Sequence, residues 1–331
     1  MNKIKLSIII PVYNASTFID DCLGSIINQS VDFNDLEVVC IDDGSTDKSL
    51  SIIRGYAEKY PFIKIYHKEN EGIAETRNYG LNVATGEYLM FVDSDDGVAK
   101  NSLNQLIDII NNETFDFFRF SYSCIFDDDK INASVNNFDY STCQTRAEDA
   151  PFQVWGVLYK KSLFNQFPVK FNKVFRTRED YIFNYLLFAS ASASRSLVTD
   201  AKIYVYRVRN GSLSHIMSYK SEEFQLERYS DMINYIKECN SYVETQNDSL
   251  SDYSINVIKN KIPFFASTAL TCAIRCRTMP VKVAQKELID LGVYPIKVST
   301  RNNSFQGIIK TLLTKPIIIN IIDKFSFLKS N

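Results

Sequence analysis

At 331 residues and 45% hydrophobic, the chain can bury a sizeable core; it exceeds one average domain and falls short of two large ones. Thirty-seven basic residues against 39 acidic leave it near neutrality, which excludes a dedicated nucleic-acid binder with its basic excess. No stretch reaches the roughly 20 apolar residues of a spanning helix, and seven cysteines without a CxxC pair, behind a start that carries no signal-peptide pattern, lead us to expect reduced thiols in a cytosolic protein.

Residues 8–10 form a continuous apolar run, the pattern of a strand covered on both faces. Pro11 cannot donate to a ladder and is expected to end it. Phe18, Ile19, Cys22, Leu23, Ile26 and Ile27 then mark one face of a helix. Residues 38–41 are a second buried strand, stopped by Asp42-Asp43-Gly44, and Ser45 or Asp47 caps a helix carrying Leu50, Ile53 and Ala57. Residues 62–66 make a third strand, Gly72 opens a helix that stops at Gly86, and a fourth strand over 88–92 runs into Asp93-Ser94-Asp95-Asp96.

Alternating strands and helices imply an α/β fold with a mostly parallel sheet covered by helices. Ligands of such sheets sit at the carboxyl ends of the strands. Those ends carry residues 11–14, 42–43 and 93–96, so three polar clusters converge on one rim.

Beyond residue 100 the pattern loosens. A helix with Leu103, Leu106, Ile107 and Ile110 leads to a strand over 115–120, followed by a polar surface excursion over 127–150. A helix starts near Glu179, residues 203–206 form a strand, and the chain reads as helical from Ser221 onward. The expected division is a ligand-binding half over 1–100, a second half of the same domain over 101–217, and a helical region over 218–331. The tail from 301 carries five basic residues, one acidic residue and an apolar face. Such a segment either lies in a membrane interface or packs on its own domain.

Asp93 and Asp95 stand where a buried strand meets a loop, and hard carboxylate oxygens there suit Mg²⁺ or Mn²⁺ shared with substrate phosphates. A plain turn is the competing reading. Asp42 and Asp43 repel that pair unless a cation or donor is close. A carboxylate only accepts hydrogen bonds, and uracil offers an N3–H; a turn at Asp43-Gly44 explains the same residues. Arg77 is the nearest cation in sequence to the acidic rim, suited to pair with an Asp or a phosphate. Glu179 and Asp180 open a helix, where acidic residues are common for dipole reasons alone. His215 ends a basic loop suited to lie over phosphates.

Taken together these residues resemble a family 2 glycosyltransferase of the GT-A fold. The resemblance rests on SIIIPVYN (7–14), EVVCIDDGSTD (37–47), NEGIAETRNYGLNVATGEYLMFVDSDD (70–96), REDYIFNYLL (178–187) and YRVRNGSLS (206–214), in register over about the first 215 residues. It implies a Rossmann-like GT-A domain with a helical C-terminal extension outside the shared fold. Nucleotide-sugar contacts would come from Pro11, Val12, Tyr13, Asn14, Asp42, Asp43, Gly72, Arg77, Asp93, Ser94 and Arg207. Within that set Asp43 would read uracil and Asp93 would hold the ribose. Asp95 would bind Mn²⁺ or Mg²⁺, with Asp93 and a late ligand from His215. Asp180 would be the general base with Glu179 beside it, and residues 206–214 would close over the diphosphate. Trp155 matches a family tryptophan, yet Gly156-Val157 follow it where Asn-Lys often stands, so an acceptor contact from that lysine is lost. The implied reaction is an inverting transfer from a UDP-sugar to a saccharide or lipid-linked saccharide acceptor in cell-surface polysaccharide synthesis.

Three other readings fit less well. A nucleotidyltransferase usually carries a Gly-rich basic loop after the first strand, and PVYNAST has neither Gly nor a cation. A dinucleotide dehydrogenase would need GxGxxG there. A non-catalytic binding protein on the same fold would have little use for Asp93, Asp95 and Asp180 together.

Overall fold

The apolar runs of the first hundred residues fold as four parallel strands: β1 (Leu6–Val12), β2 (Leu36–Asp43), β3 (Ile63–Lys68) and β4 (Tyr88–Phe91). Helices α1 (Ile19–Ile27), α2 (Ser49–Lys59) and α3 (Ile73–Val83) connect them. The structure is a computed structural model that describes residues 3–127, 129–175, 178–209, 221–276, 278–294 and 296. The chain divides into two compact units, 1–210 and 211–331.

In the first unit β5 (Gly97–Val98), β6 (Phe117–Phe126), β7 (Ser141–Gln144), β8 (Val157–Lys160) and β9 (Arg195–Val208) extend the same sheet. Its order among the described residues is β3-β2-β1-β4-β8-β6-β9-β5, with β7 paired to β9. Only β8 interrupts the parallel centre, running antiparallel between β4 and β6. Further helices are α4 (Leu103–Asn112), α5 (Ser162–Gln166) and α6 (Glu179–Ser190).

Strand alternation sorts the core into two layers. Ile8, Ile10, Val38 and Cys40 pack with Cys22, Leu23 and Ile26 of α1 and with Leu106 and Ile110 of α4. Each such fully buried aliphatic side chain contributes roughly 1.5–3 kcal/mol. On the opposite face Ile9 and Ile41 press on α3. A Cβ on Gly80 would lie 2.4 Å from Ile9 Cγ2, so only glycine lets this helix come so near.

Pro11 does not end its strand. It pairs in register with Ile41 of β2, and β1 runs on to Val12. The carbonyl of Ile9 accepts from Val92 N on the β4 side, so Pro11, two residues later, points its missing N–H to that same side. The β1–β4 pairing has already stopped at Ile9 and Phe91, and no ladder bond is lost. β6 and β9 are longer than their apolar runs, because their outer halves pair with each other as a half-exposed ribbon.

The second unit contains α7 (Glu222–Gln246), α8 (Asp252–Arg275) and α9 (Val281–Asp290). Ser221 and Ser251 cap the first two, accepting from the backbone N–H of Phe224 and Ser254. Tyr235 of α7 meets Phe265 of α8 at 5.2 Å between ring centroids. Among the described residues no helix is long and apolar enough to cross a membrane. The tail 301–331, with its expected membrane-facing or self-packing role, lies outside the described residues.

Candidate active site

The three polar clusters meet at the carboxyl ends of β1, β2 and β4, and a fourth element joins them: the first turn of α6. Arg77 links the set from α3. Its Nη2 donates to Asp93 Oδ1 at 3.0 Å, and its Nη1 reaches Glu179 Oε1 and Asp180 Oδ1, both at 2.5 Å. The guanidinium is buried and lies 5.6 Å from the ring centroid of Phe171. Arg178, immediately before α6, adopts φ 70°, an uncommon left-handed conformation for a residue with a side chain. This residue forms the bend at which the helix begins with its two carboxylates facing Arg77.

Three carboxylates around one guanidinium cannot all ionise at low cost. Burial would weaken the Arg77 charge, but Asp180, Asp93 and Glu179 outweigh it and hold the guanidinium firmly protonated. Burial lifts the pKa of Asp93, with Arg77 opposing and Asp95 and Asp180 adding to the rise. Burial likewise lifts Glu179 to about 8, against Arg77 and with help from Asp180. Glu179 therefore holds a proton at neutral pH, and Asp180, the more exposed of the two, does not share its burial.

The Asp93–Asp96 segment is a tight turn built from beneath. Asp96 N donates to Asp93 O at 3.0 Å, and the buried Asp96 carboxylate accepts from Tyr204 OH at 2.6 Å and Arg207 N at 2.7 Å. The Tyr204 hydroxyl in turn accepts from Asp93 N at 3.1 Å. Burial, then Asp95 and Asp93, push the Asp96 pKa well up. This scaffold turns Asp93 and Asp95 toward the rim, with Ser94 half-buried between them. Asp95 pairs with Arg209 at 2.5 Å.

At the neighbouring strand ends, Asp43 accepts from Glu71 N at 3.0 Å, Gly72 N at 2.9 Å and the Lys68 ammonium. Gly72 sits at φ 90°, which glycine adopts without a Cβ penalty, and starts α3. Asp42 is fully buried; its Oδ2 lies 2.7 Å from His67 Nδ1, while its Oδ1 has no hydrogen-bond partner. The β1 end presents Tyr13, 52% exposed, beyond Pro11 and Val12. Asn14 follows at φ 49° and fastens the loop, accepting from Thr46 N at 2.8 Å and donating its own N–H to Ser45 Oγ at 3.0 Å. Asp47 completes this clasp: burial would raise its pKa, yet hydrogen bonds from Ser49 and Ser16 pull it down to about 2.

The sequence from 7 to 175, just over half of the chain, matches the model of glycosyl transferase family 2. The chain belongs to this family. Its glycosyltransferase relatives include the uncharacterized glycosyltransferase EpsJ of Bacillus subtilis (strain 168), 25% identical over 91% of this chain and 87% of that protein. Among solved structures it is similar to S. aureus TarS 1–349 in complex with UDP-GlcNAc, with a TM-score of 0.58 and 20% identity over 87% of this chain and 89% of that one. It is also similar to the mannosyltransferase PcManGT of Pyrobaculum calidifontis in complex with GDP-Man and Mn²⁺, with a TM-score of 0.50 and 17% identity over 99% and 88% of the two chains. The mostly parallel sheet with flanking helices is thus the GT-A fold, followed by a helical part.

The family match stops just before α6, so the placement of Glu179 and Asp180 in this glycosyltransferase rests on its geometry. Of the residues singled out from sequence, Asp93, Asp95, Arg77, Glu179 and Asp180 come together. Arg207 is placed differently from a cation lying over phosphates. It is 1% exposed and donates to the carbonyls of Asp95 at 2.9 Å and Asp129 at 2.6 Å, to the Asp127 carbonyl and to the Asp21 carboxylate. Arg209, two residues on in the same basic loop and not singled out by itself from sequence, is the partly exposed cation at Asp95. Asp96 and Tyr204 were also missed; a fourth acidic residue in the turn was visible, whereas Tyr204 is over a hundred residues away. His215 lies outside the described residues.

Proposed function

We propose that this glycosyltransferase is an inverting, metal-dependent enzyme moving a sugar from a nucleotide sugar, UDP-linked by preference, to a saccharide or lipid-linked saccharide in cell-surface polysaccharide synthesis in the cytoplasm. The observation that carries the reading is the Arg77 hub. One guanidinium ties Asp93, on the donor side, to Asp180, on the acceptor side, so that donor and base are held in a common frame.

Tyr13 offers an exposed ring to the nucleobase. Asp43 still has one lone pair on Oδ2 to accept uracil N3–H after serving the 68–72 loop. Asp93 is the ribose ligand, and Asp42, Val12 and Asn14 hold the floor of this pocket. Asp95 with Asp93 would hold Mn²⁺ or Mg²⁺. Both are partly exposed oxygen donors, as such ions need. Among the described residues no group of three His, Cys, Asp or Glu assembles as a metal cage, which suits an ion completed by substrate phosphates and water. An ion held there would supply positive charge against the diphosphate leaving group. Arg209, over the ring of Phe18, is the cation this chain itself adds beside it.

Asp180 is the base. Its Oδ1 is oriented by Arg77, and its Oδ2 accepts from Val154 N at 3.3 Å. Buried Glu179, protonated at neutral pH, positions Arg77 rather than taking a proton from the acceptor. As an acceptor hydroxyl attacks the anomeric carbon, its proton passes to Asp180 and the configuration inverts through an oxocarbenium-like state. Incubating the full chain with a panel of UDP-, GDP- and dTDP-sugars and measuring free nucleotide tests this. Release from a UDP-sugar with Mn²⁺ and its loss with EDTA are expected; no release from any donor would overturn the reading.

A further inference from the structure

We infer that the chain has a second saccharide-binding site, a cavity of about 330 Å³ between β6, β9 and the 151–156 segment, that takes a neutral, hydroxyl-rich ring. It rests on the proposed function only in naming this ring as a unit of the acceptor.

The cavity is made by a defect in strand pairing. Arg119 pairs with Val198 and Ser121 with Lys202, so β9 spends four residues where β6 spends two. The surplus bulges outward at Thr199 and Asp200. Bulges next to active sites commonly re-aim side chains in this way. Thr199 fixes the bulge, donating to Asp139 O at 2.7 Å and accepting from Ala201 N at 3.2 Å. Across the gap, Gly156 contributes no side chain. A Cβ there would make only an ordinary contact, 3.5 Å from Phe120 O, so a longer residue would fit the backbone and fill the space.

The lining chemistry selects the ligand. Tyr122, 45% exposed, gives an aromatic wall, and behind it Trp155, 7% exposed, is held by stacking on Tyr204 at 4.4 Å and by the edge of Tyr122 at 5.0 Å. Arg119 donates from Nη1 to Asp149 O, but its buried Nε has no hydrogen-bond partner. Gln153 and Asp200 supply exposed acceptors, and Gln153 an amide donor as well. Asp149 is spent on Arg146 through two hydrogen bonds. An aromatic surface with both donors and acceptors matches a sugar ring, which has an apolar face and a hydroxyl rim. The Asp200 carboxylate disfavours an anion, and the Arg119 guanidinium disfavours a cation.

The cavity is mechanically joined to the reaction site. Val154, between the lining residues Gln153 and Trp155, donates its N–H to Asp180, and Asn184 of α6 holds the carbonyls of Pro151 and Gln153, both at 3.0 Å. A ring seated against Tyr122 and Gln153, over Trp155, is therefore held at a fixed offset from the base. That offset would set how far along an acceptor the new linkage forms.

Trp155 is the only tryptophan, so its emission reports occupancy. The full chain is titrated with neutral methyl glycosides and disaccharides of glucose, galactose and N-acetylglucosamine, beside glucuronic acid and glucosamine as charged counterparts. A saturable change is expected with at least one neutral sugar, at least about tenfold weaker with its charged counterpart. Gly156→Leu should abolish it, and Asp200→Ala, at an exposed position that does not threaten folding, should weaken it about tenfold. No saturable change with any neutral sugar, or a change that survives both variants, would overturn the site. Nucleotide-sugar hydrolysis, measured in parallel, should be unchanged in both variants. Saccharide binding without any hydrolysis would sink the proposed function and leave the cavity standing; hydrolysis without binding would do the reverse.

Discussion

Replacing Arg77 by methionine keeps an unbranched apolar stem and removes the one cation shared by three buried or partly buried carboxylates. Stripping one partner from a buried ion cluster typically costs about 3–5 kcal/mol, because the remaining charges are left uncompensated. The sign of the pH dependence follows from the carboxylates. Without Arg77 the folded-state pKa values of Asp93 and Glu179, which burial already raises against it, rise further. A raised carboxylate costs nothing below its unfolded pKa, near 4, and progressively more as pH climbs toward the folded value. The deficit of the variant should therefore be larger at pH 8 than at pH 5 and still grow above pH 8, where Glu179 of the wild type itself ionises. Urea unfolding followed by Trp155 emission is the assay, since Trp155 lies in the same unit as Arg77. A deficit under about 1 kcal/mol at pH 8, within the range of a surface pair, or one that does not change with pH, would refute the hub.

Glu179→Gln isolates the proton held in that cluster. The Glu179 pKa is raised to about 8, so its stabilising contribution is complete below its unfolded value and is lost as pH rises through 8. The glutamine variant, unable to ionise, should gain on wild type in melting temperature between about pH 4 and pH 8, with part of the gain present at pH 6 and all of it at pH 9; a difference between the two that is the same at pH 4 and pH 9 would contradict the assignment. Tyr204→Phe removes the hydroxyl shared by Asp93 N and Asp96. Leaving those groups unpaired should cost about 1–3 kcal/mol in urea unfolding and raise KM for the nucleotide sugar; an unchanged KM would show that the turn does not depend on it. Asp95→Ala should abolish Mn²⁺-stimulated nucleotide release, and stimulation that persists in the variant would move the metal elsewhere.

The half of the site on β1, β2 and β4 was legible because local patterns encode it. Apolar runs fixed the strands, and the polar residues that interrupt them had to lie at one rim. Arg77 was read as a partner for one carboxylate or phosphate, but its three-way role depends on α6, whose approach has no local signature. Arg207 and Arg209 differ by one turn of strand alternation. Both face Phe18, but only the first is held by the carbonyls of Asp127 and Asp129, which the sequence showed merely as polar surface. The short strand β8 was missed because three of its four residues are buried in a row and carry no alternation, and the β9 bulge because register is a property of two strands at once. Pro11 misled for a similar reason: whether its missing N–H matters depends on where the neighbouring strand stops.

The central claim is that Asp180 accepts the acceptor proton while Arg77 holds it in line with the donor. Transfer by Asp180→Asn, measured beside wild type with the same nucleotide sugar, Mn²⁺ and acceptor, tests it most directly. The expected result is a fall in kcat of about 10²–10⁴-fold, the usual worth of a general base, with nucleotide-sugar binding retained. Turnover within about threefold of wild type, far below that range, would contradict it.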